Sequence, residues 1–171
     1  ILINNAGASW GAPFDEFPES GWDKVMDINV KSLFFLTQQL APMMRASATP
    51  EQPAKVINIA STDGLSNSRI ETYSYSASKA AVIHLTRRLA NRLAEDNIRV
   101  NAIAPGAFAS NMNIWARDNP EGVAPRIPAK RIGKPDDIAG TAVYMCSRAG
   151  DFLLGATIPL DGGTVYGTLQ G

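Results

Sequence analysis

Short apolar runs alternate along this chain with longer segments whose apolar residues recur at helical spacing. The short runs are typical of strands buried in a parallel sheet, and the longer segments are typical of amphipathic helices. Strands are predicted at residues 1–3, 55–60, 98–104 and within 152–160, and helices at 20–47, 73–95 and 134–147. This alternation predicts an α/β fold whose parallel strands are joined by right-handed crossovers.

The first predicted helix carries three features that bear on its shape. Ser20 with an acid at Asp23 is typical of a helix N-terminus, because the serine can cap the first turn. Asn29 stands among apolar neighbours, so its amide is expected to be either solvated or bound to a specific partner. Pro42 is expected to bend the last turns.

Residues 107–131 have weak periodicity and contain several prolines and glycines. A segment of this length inside a compact domain is often functional, so it is predicted to be a substrate lid. Met112 and Trp115 would give that lid an apolar face. The alternative is a surface excursion with a small core of its own.

Composition excludes several classes of protein. The chain has 171 residues and a formal net charge of zero, which predicts a single domain and argues against a broad nucleic-acid or membrane surface. No apolar stretch reaches the length of a membrane span. The single cysteine, Cys146, lies in an apolar run and is predicted to be a buried thiol in a reducing, cytoplasmic setting. His84, the only histidine, is interpreted as structural or interfacial, and no metal site is indicated.

Tyr75 and Lys79 lie four residues apart in the helix predicted at 73–95, which places them on one helix face, one turn apart. The pKa of a free tyrosine is about 10, too high for easy proton transfer at neutral pH. A nearby ammonium favours the phenolate and lowers that pKa. The pair is therefore predicted to exchange a proton with a carbonyl or alcohol oxygen, whereas Tyr73 lacks such a cation because Ala77 follows it at the same spacing.

Three further features fall where predicted strands end. Small and turn-forming residues occupy 4–7, Ser61 follows the second strand, and Pro105 with Gly106 follows the third. Ligands of open α/β sheets bind beyond the carboxyl ends of the strands, where small side chains let a ligand approach the backbone. Taken alone, residues 4–7 could be a plain β-turn and Ser61 a turn or capping serine.

Together these features resemble the short-chain dehydrogenase/reductase family over nearly the whole chain. The resemblance is carried by Asn4-Asn5-Ala6-Gly7, Asn29 within Asp27-Ile28-Asn29-Val30, Ser61, Tyr75-Ser76-Ala77-Ser78-Lys79, Asn101 through Pro105-Gly106, and Asp161-Gly162-Gly163. It implies an NAD(P)-dependent enzyme that interconverts a carbonyl and a secondary alcohol by hydride transfer. It also implies a Rossmann-like, doubly wound parallel sheet.

The resemblance assigns a role to each candidate catalytic residue. Tyr75 is expected to be the general acid/base, and Lys79 to lower its pKa and bind the nicotinamide ribose. Ser61 is expected to hydrogen-bond and orient the substrate carbonyl. Asn29 is expected to hold a water that links Lys79 to solvent as a proton relay.

Besides Tyr75 and Lys79, the cofactor contacts that the resemblance implies lie in two groups. The adenosine side is expected to contact Asn5, Ala6 and Gly7, and the nicotinamide end to contact Pro105, Gly106, Phe108 and Ser110. Ser110 stands where the family usually has a threonine that bonds the carboxamide. A serine can make the same bond but lacks the methyl group.

One departure from the family pattern affects the cofactor. The family's glycine-rich phosphate loop precedes the Asn-Asn-Ala-Gly strand and is not in this chain, which opens on the strand-like run 1–3 without a methionine. The chain therefore resembles the C-terminal two-thirds of a three-layer αβα sandwich, a single domain with an incomplete N-terminus. We expect a full-length parent to be an active reductase and these 171 residues alone to bind cofactor poorly.

Within the family the chain is similar to the 3-oxoacyl-carrier-protein reductase branch, especially the rhamnolipid-pathway β-ketoacyl reductase. The similarity lies in Ser9-Trp10-Gly11, Gly21-Trp22 and the insertion at 47–54. That branch uses NADPH, so NADP(H) is expected rather than NAD(H), with a small carbonyl or alcohol substrate, such as an acyl thioester. Family members pair through helices, which predicts a homodimer or homotetramer through 20–47 and 73–95.

Three other functions were weighed against this one. A catalytically inactive remnant would keep the fold only as a packing or dimerisation module. An extended epimerase or dehydratase shares Tyr-x-x-x-Lys but needs a larger substrate domain than the short C-terminal tail allows. A methyltransferase would have no reason to place Tyr75 and Lys79 on one helical turn.

Overall fold

Four parallel strands form the sheet around which the helices pack. The computed structural model describes residues 1–167, so the last four residues of the predicted tail lie outside the described residues. The strands are β1 (Leu2–Asn4), β2 (Ala54–Ile59), β3 (Ile98–Pro105) and β4 (Thr157–Leu160). They lie side by side in that order, and each neighbouring pair is parallel. The predicted α/β fold with a parallel sheet is confirmed.

Six α-helices connect or follow these strands in the part of the chain that is described. They are α1 (Glu19–Met26), α2 (Ser32–Ser47), α3 (Tyr73–Leu93), α4 (Ile114–Asp118), α5 (Pro120–Val123) and α6 (Pro135–Cys146). A π-helical turn at Asp27–Lys31 joins α1 to α2, so one continuous helical segment covers the helix predicted at 20–47. The three long predicted helices are confirmed, with ends displaced by one or two residues.

The predicted N-cap at Ser20 is wrong. The helix begins at Glu19, and Pro18, in an extended conformation, precedes it without a side-chain cap. The carbonyl of Pro18 accepts hydrogen bonds from the N–H groups of Gly21 and Trp22. Because Pro18 already supplies the first helical acceptor, Ser20 lies inside the first turn.

Adjacent residues of β2 point to opposite faces of the sheet and meet different helices. Val56 packs in a buried cluster with Met44 of α2 and Leu93 of α3. Ile57 packs with Met145 of α6. Since side chains alternate along a strand, α2 and α3 cover one face and α6 covers the other. This leaves the carboxyl ends of the strands open.

A chain of buried amides and hydroxyls fixes the sheet against α2 and α3. The amide of Asn4 donates to Asn58 Oδ1 at 2.8 Å and to Thr37 Oγ1 at 3.1 Å. The amide of Asn58 donates to Thr86 Oγ1 at 2.9 Å. Buried polar groups are tolerated when they are paired in this way. The network fixes the position of the residues that follow β1 and β2, where the candidate site lies.

The segment 107–131, predicted to be a loop, contains α4, α5 and a 3-10 turn at Ala124–Arg126. The short helices begin at asparagines whose side chains cap them: Asn113 accepts from Ala116 N and Asn119 from Gly122 N. A small cluster is buried beneath them, formed by Ala116, Val123 and Ile127. The segment therefore has a core of its own, and its function as a lid stays a prediction.

The single cysteine differs from its predicted environment. Cys146 is half-buried rather than buried, because it ends α6 beside the exposed Tyr144. His84 is exposed on α3.

Within residues 1–167, no helix has both the length and the apolar composition needed to cross a membrane.

Candidate active site

Ser61 lies directly after β2, at the start of a 3-10 turn over Thr62–Gly64. Its Oγ accepts a hydrogen bond from the Asp63 N–H at 3.2 Å, and its residue is only 7% exposed. Gly64 lets this turn pack closely against α3. A Cβ at this position would come within 2.6 Å of the Lys79 carbonyl carbon. The turn can approach the helix so closely only with glycine at this position.

Tyr75 and Lys79 lie one turn apart on α3, as their spacing predicts. Tyr75 is half-buried, and Lys79 is 4% exposed. The ammonium Nζ of Lys79 lies 5.5 Å from the centroid of the Tyr75 ring and donates to the Ile59 carbonyl at 2.9 Å. Since an ammonium has three N–H groups and this is its one hydrogen bond within residues 1–167, two N–H groups are free for a ligand.

The electrostatics of the pair differ from the prediction. Burial raises the pKa of Tyr75 above its usual value, the nearby Ser61 hydroxyl lowers it, and the charge of Asp63 adds to the increase. Burial also lowers the pKa of Lys79 to about 8. These side chains alone do not give the expected lowering of the Tyr75 pKa by Lys79. The Lys79 ammonium bonds to a strand carbonyl, and the desolvation of the Tyr75 phenolate dominates.

Asn29 has specific partners, which decides between the two predicted environments. It is 2% exposed within the π-helical turn. Its Oδ1 accepts from Ala8 N at 2.8 Å, and its Nδ2 donates to Ala8 O and to Ser78 Oγ, each at 2.9 Å. Ser78 Oγ in turn donates to the Tyr75 carbonyl at 2.7 Å. Asn29 thus joins the segment after β1 to the turn of α3 that carries Tyr75.

Asn5, Ala6 and Gly7 follow β1 and are exposed, which suits close approach of a ligand. A Cβ on Gly7 would lie 3.7 Å from both Lys79 Nζ and Met112 Cε. The structure therefore brings the 4–7 segment to the Tyr75–Lys79 turn. It also places Met112, from the predicted lid, at the same point.

The predicted cofactor contacts after β3 have different environments. Pro105 pairs with Leu160, and a Cβ on Gly106 would lie 2.8 Å from the Cβ of Asp161, so close packing requires glycine there. The Phe108 ring packs on Gly133 and lines a cavity of about 180 Å³ with Leu160. Its side chain is therefore engaged with the β4 side of the molecule.

Ser110 is exposed, and its Oγ accepts from Asn113 N at 3.0 Å. This hydrogen bond stabilises the turn before α4. The hydroxyl hydrogen is still available, so Ser110 can also donate to a ligand.

Two residues beside the candidate catalytic set were not singled out from the sequence. Ser78 belongs to the Tyr-to-Lys motif, and it is buried on α3 one residue before Lys79. Asp63 follows Ser61 by two residues, and an acid so close to a strand end was a signal that could have been used.

Known proteins match this sequence over nearly its whole length. A family model described as enoyl-(acyl carrier protein) reductase matches residues 1–165. The rhamnolipids biosynthesis 3-oxoacyl-[acyl-carrier-protein] reductase of Pseudomonas aeruginosa is 45% identical over 95% of the chain. The 2-dehydro-3-deoxy-D-gluconate 5-dehydrogenase of Dickeya dadantii is also 45% identical, over 95% of the chain.

A solved structure matches the fold of this chain. The solved RhlG/NADP active-site complex of Pseudomonas aeruginosa superimposes with a TM-score of 0.91 at 45% identity, over 96% of this chain and 65% of that one. The chain spans 65% and 64% of the lengths of the two curated relatives. The predicted Rossmann-like fold, present as about two-thirds of the relatives' structure, is confirmed. This chain belongs to the short-chain dehydrogenase/reductase family.

Proposed function

We propose that these residues form the substrate and nicotinamide side of an NADP(H)-dependent oxidoreductase that interconverts a carbonyl and a secondary alcohol. The observation that carries the proposal is the cluster at the carboxyl end of β2. There Ser61 lies against the α3 turn that holds Tyr75 and Lys79, and Asn29 anchors that turn to the segment after β1. A purely structural remnant gives no reason for this convergence.

The two hydroxyls define where a substrate oxygen would bind. Ser61 Oγ is fixed by the Asp63 N–H and keeps its own hydrogen for donation. The raised pKa of Tyr75 keeps its phenol protonated at neutral pH, so it can donate a proton to a carbonyl oxygen. When bound, the nicotinamide cofactor supplies the hydride. The positive charge of Lys79 stabilises the phenolate left after proton transfer.

The residues that are present fit the nicotinamide ribose. Lys79 has two N–H groups without protein partners within residues 1–167, which suit ribose hydroxyls. Asn5, Ala6 and Gly7 offer an exposed, narrow surface beside it. The choice of NADP(H) follows the RhlG/NADP complex. The pyrophosphate would need the glycine-rich segment, which residues 1–171 do not contain.

The hydrogen bonds of Asn29 limit how it could hold the proposed relay water. Both amide hydrogens of Asn29 are used, on Ala8 O and Ser78 Oγ, and its Oδ1 accepts from Ala8 N. A water between Lys79 and solvent would therefore have to donate to Asn29, either at the second lone pair of Oδ1 or at the backbone carbonyl. The π-helical turn suits this role, because such turns displace carbonyls from the regular ladder.

The proposed substrate is a 3-oxoacyl thioester or a similar small ketone, after the Pseudomonas aeruginosa relative. A sugar acid is the second candidate, because the Dickeya dadantii relative is equally similar. The proposed assembly is a homodimer or homotetramer through α1–α2 and α3. Apolar side chains exposed on the first of these segments support it, namely Trp22, Phe35, Leu36 and Met43.

The test joins this chain to the part of a relative that it does not span. The N-terminal third of the Pseudomonas aeruginosa relative, fused before residue 1, is expected to give NADPH-dependent reduction of acetoacetyl-N-acetylcysteamine. The 171 residues alone are expected to be at least about 100-fold slower, because they lack the phosphate-binding loop. A folded fusion protein that binds NADPH but reduces no ketone would refute the proposed reaction. Equal rates for both proteins would refute the proposed cofactor arrangement.

A further inference from the structure

Asp63 is a half-buried carboxylate at the candidate site with no role in the proposed mechanism. It lies in the 3-10 turn after Ser61, and its N–H donates to Ser61 Oγ at 3.2 Å. The next residue, Gly64, packs directly on the backbone of Lys79. The turn therefore holds the backbone of Asp63 between Ser61 and the α3 turn that carries Tyr75.

The carboxylate of Asp63 has no protein partner within residues 1–167. Other partly buried carboxylates in that range are paired: Asp137 bonds to Arg131, Asp151 bonds to Lys55, and Asp161 accepts from two backbone N–H groups. Burial raises the pKa of Asp63, and no cation offsets that effect. An unpaired, partly desolvated carboxylate costs stability, so a position beside candidate catalytic groups points to a ligand-directed role.

The charge of Asp63 acts where the substrate oxygen would bind. Its field raises the pKa of Tyr75, whose hydroxyl interacts with Ser61. Lys79 is the other ionisable group close to Tyr75, and its ammonium lies over the ring. Because the Asp63 N–H also bonds to Ser61 Oγ, a substrate held by Ser61 and Tyr75 would bind with a negative side chain close to its carbonyl.

We infer that Asp63 is a specificity-determining residue that selects carbonyl substrates without a negative charge beside the reacting carbon. This inference rests on the proposed function and narrows its substrate class. A thioester or ester is neutral and is accepted, whereas the free carboxylate of a 3-oxo acid or a sugar acid is repelled. A like-charge pair near a protein surface changes the relative rate by about tenfold.

The test replaces the charge and keeps the shape. Asp63→Asn is compared with Asp23→Asn, which makes the same change at an exposed position of α1. In the fusion protein, kcat/KM is measured for acetoacetyl-N-acetylcysteamine and for acetoacetate. Asp63→Asn is expected to lower the thioester-to-carboxylate ratio by about tenfold through faster reduction of acetoacetate. Asp23→Asn is expected to leave the ratio unchanged. An unchanged ratio in Asp63→Asn would overturn the inference.

A second readout separates this inference from the proposed reaction. Tyrosine ring carbons labelled with ¹³C report the pKa of Tyr75, with Tyr75→Phe as the assignment control. Asp63→Asn is expected to lower that pKa, and Asp23→Asn to leave it unchanged. If Asp63→Asn does not lower it, the inference is overturned whatever the rates are. If it does, but no ketone is reduced, the reaction fails while the influence of Asp63 on Tyr75 stands.

Discussion

Two tyrosines of α3, only two residues apart, have different environments. Tyr75 is half-buried and interacts with Ser61. Tyr73 is 38% exposed, donates to Glu71 Oε1 at 2.9 Å and packs edge-on against two phenylalanines. The hydrogen bond to Glu71 raises the pKa of Tyr73. We therefore propose a chemical role for Tyr75 and a packing role for Tyr73, which makes Tyr73 a matched control.

Ser78 is expected to be the strongest hydroxyl anchor of the site. Ser78→Ala removes the bonds to Asn29 and to the Tyr75 carbonyl, and it leaves a buried amide hydrogen of Asn29 unpaired. We expect the free energy of unfolding, measured in urea, to fall by about 1–3 kcal/mol. The control is Ser76→Ala on the same helix, whose hydroxyl makes no hydrogen bond within residues 1–167. Its effect is expected within about 0.5 kcal/mol. Equal losses for the two variants would contradict the anchor role.

Lys79 gives the stability of the chain a specific pH dependence. Its folded-state pKa, about 8, lies below its ordinary value of 10.5, so the cost of burying the ammonium is fully present below pH 8. As pH rises from about 8 to about 10.5, the folded state loses the proton first, so this cost is relieved. Relative to Lys79→Met, the unfolding free energy of the natural chain should rise across this window, by about 3 kcal/mol at most. Urea unfolding at several pH values measures it, and a difference that is constant with pH would be the contrary result.

The spacing of Tyr75 and Lys79 could be interpreted from sequence because helical geometry fixes which side chains share a face. The partner of Lys79 could not, since Ile59 O is 20 residues away and meets it only through tertiary packing. The direction of the Tyr75 pKa shift was missed for the same reason. Burial, which decides that direction, is a property of the folded molecule.

At the scale of elements, the π-helical turn at Asp27–Lys31 is the feature that sequence periodicity did not indicate. Apolar spacing predicts one helix, and the structure keeps that helix but widens one turn at Asn29. The widened turn directs the Asn29 amide to Ala8 and Ser78. Such turns are rare and carry no reliable local sequence signal, and they often occur at functional sites.

Two helical glycines are expected to respond oppositely to alanine. In α1, a Cβ on Gly21 would lie 2.7 Å from the ring of Trp10, so Gly21→Ala must displace that ring. We expect it to lower the free energy of unfolding by about 1–3 kcal/mol. In α6, a Cβ on Gly140 meets nothing within 4 Å, so Gly140→Ala should raise stability by up to about 1 kcal/mol. Thermal unfolding of both variants tests this pair, and a Gly21→Ala variant as stable as Gly140→Ala would rule out the close packing of Trp10.

At the scale of the molecule, the exposed apolar surface is uneven. Ile3 is paired in register with the fully buried Ile57, so both face α6, yet Ile3 is 46% exposed. On the other side of the sheet, Met43 of α2 is 69% exposed. The order of strands and helices could be predicted from the sequence, because apolar residues recur at different spacings in strands and in helices. Which of their outer faces meet another chain does not follow from that pattern.

The proposed assembly predicts a specific response of oligomeric state. Met43→Glu places a charge on the outer face of α2 and is expected to shift the protein toward monomer, since a buried unpaired charge disfavours the interface. The control is Ile70→Glu, which changes an equally exposed apolar residue, 68% against 69%, in the loop before α3. Light scattering after size exclusion measures both masses. The same oligomer in both variants would exclude α2 from the interface.

The proposed reaction depends most on Tyr75, and a comparison of two variants tests it directly. In the fusion protein, NADPH-dependent ketone reduction is measured for Tyr75→Phe and for Tyr73→Phe. Tyr75→Phe is expected to lower kcat by at least about 100-fold, because it removes the proton donor, while NADPH binding is kept. Tyr73→Phe is expected to stay within about twofold of the unmodified protein, because its hydroxyl bonds only to Glu71 in the described structure. If Tyr75→Phe reduces the ketone as fast as Tyr73→Phe, the chemistry does not take place at this site.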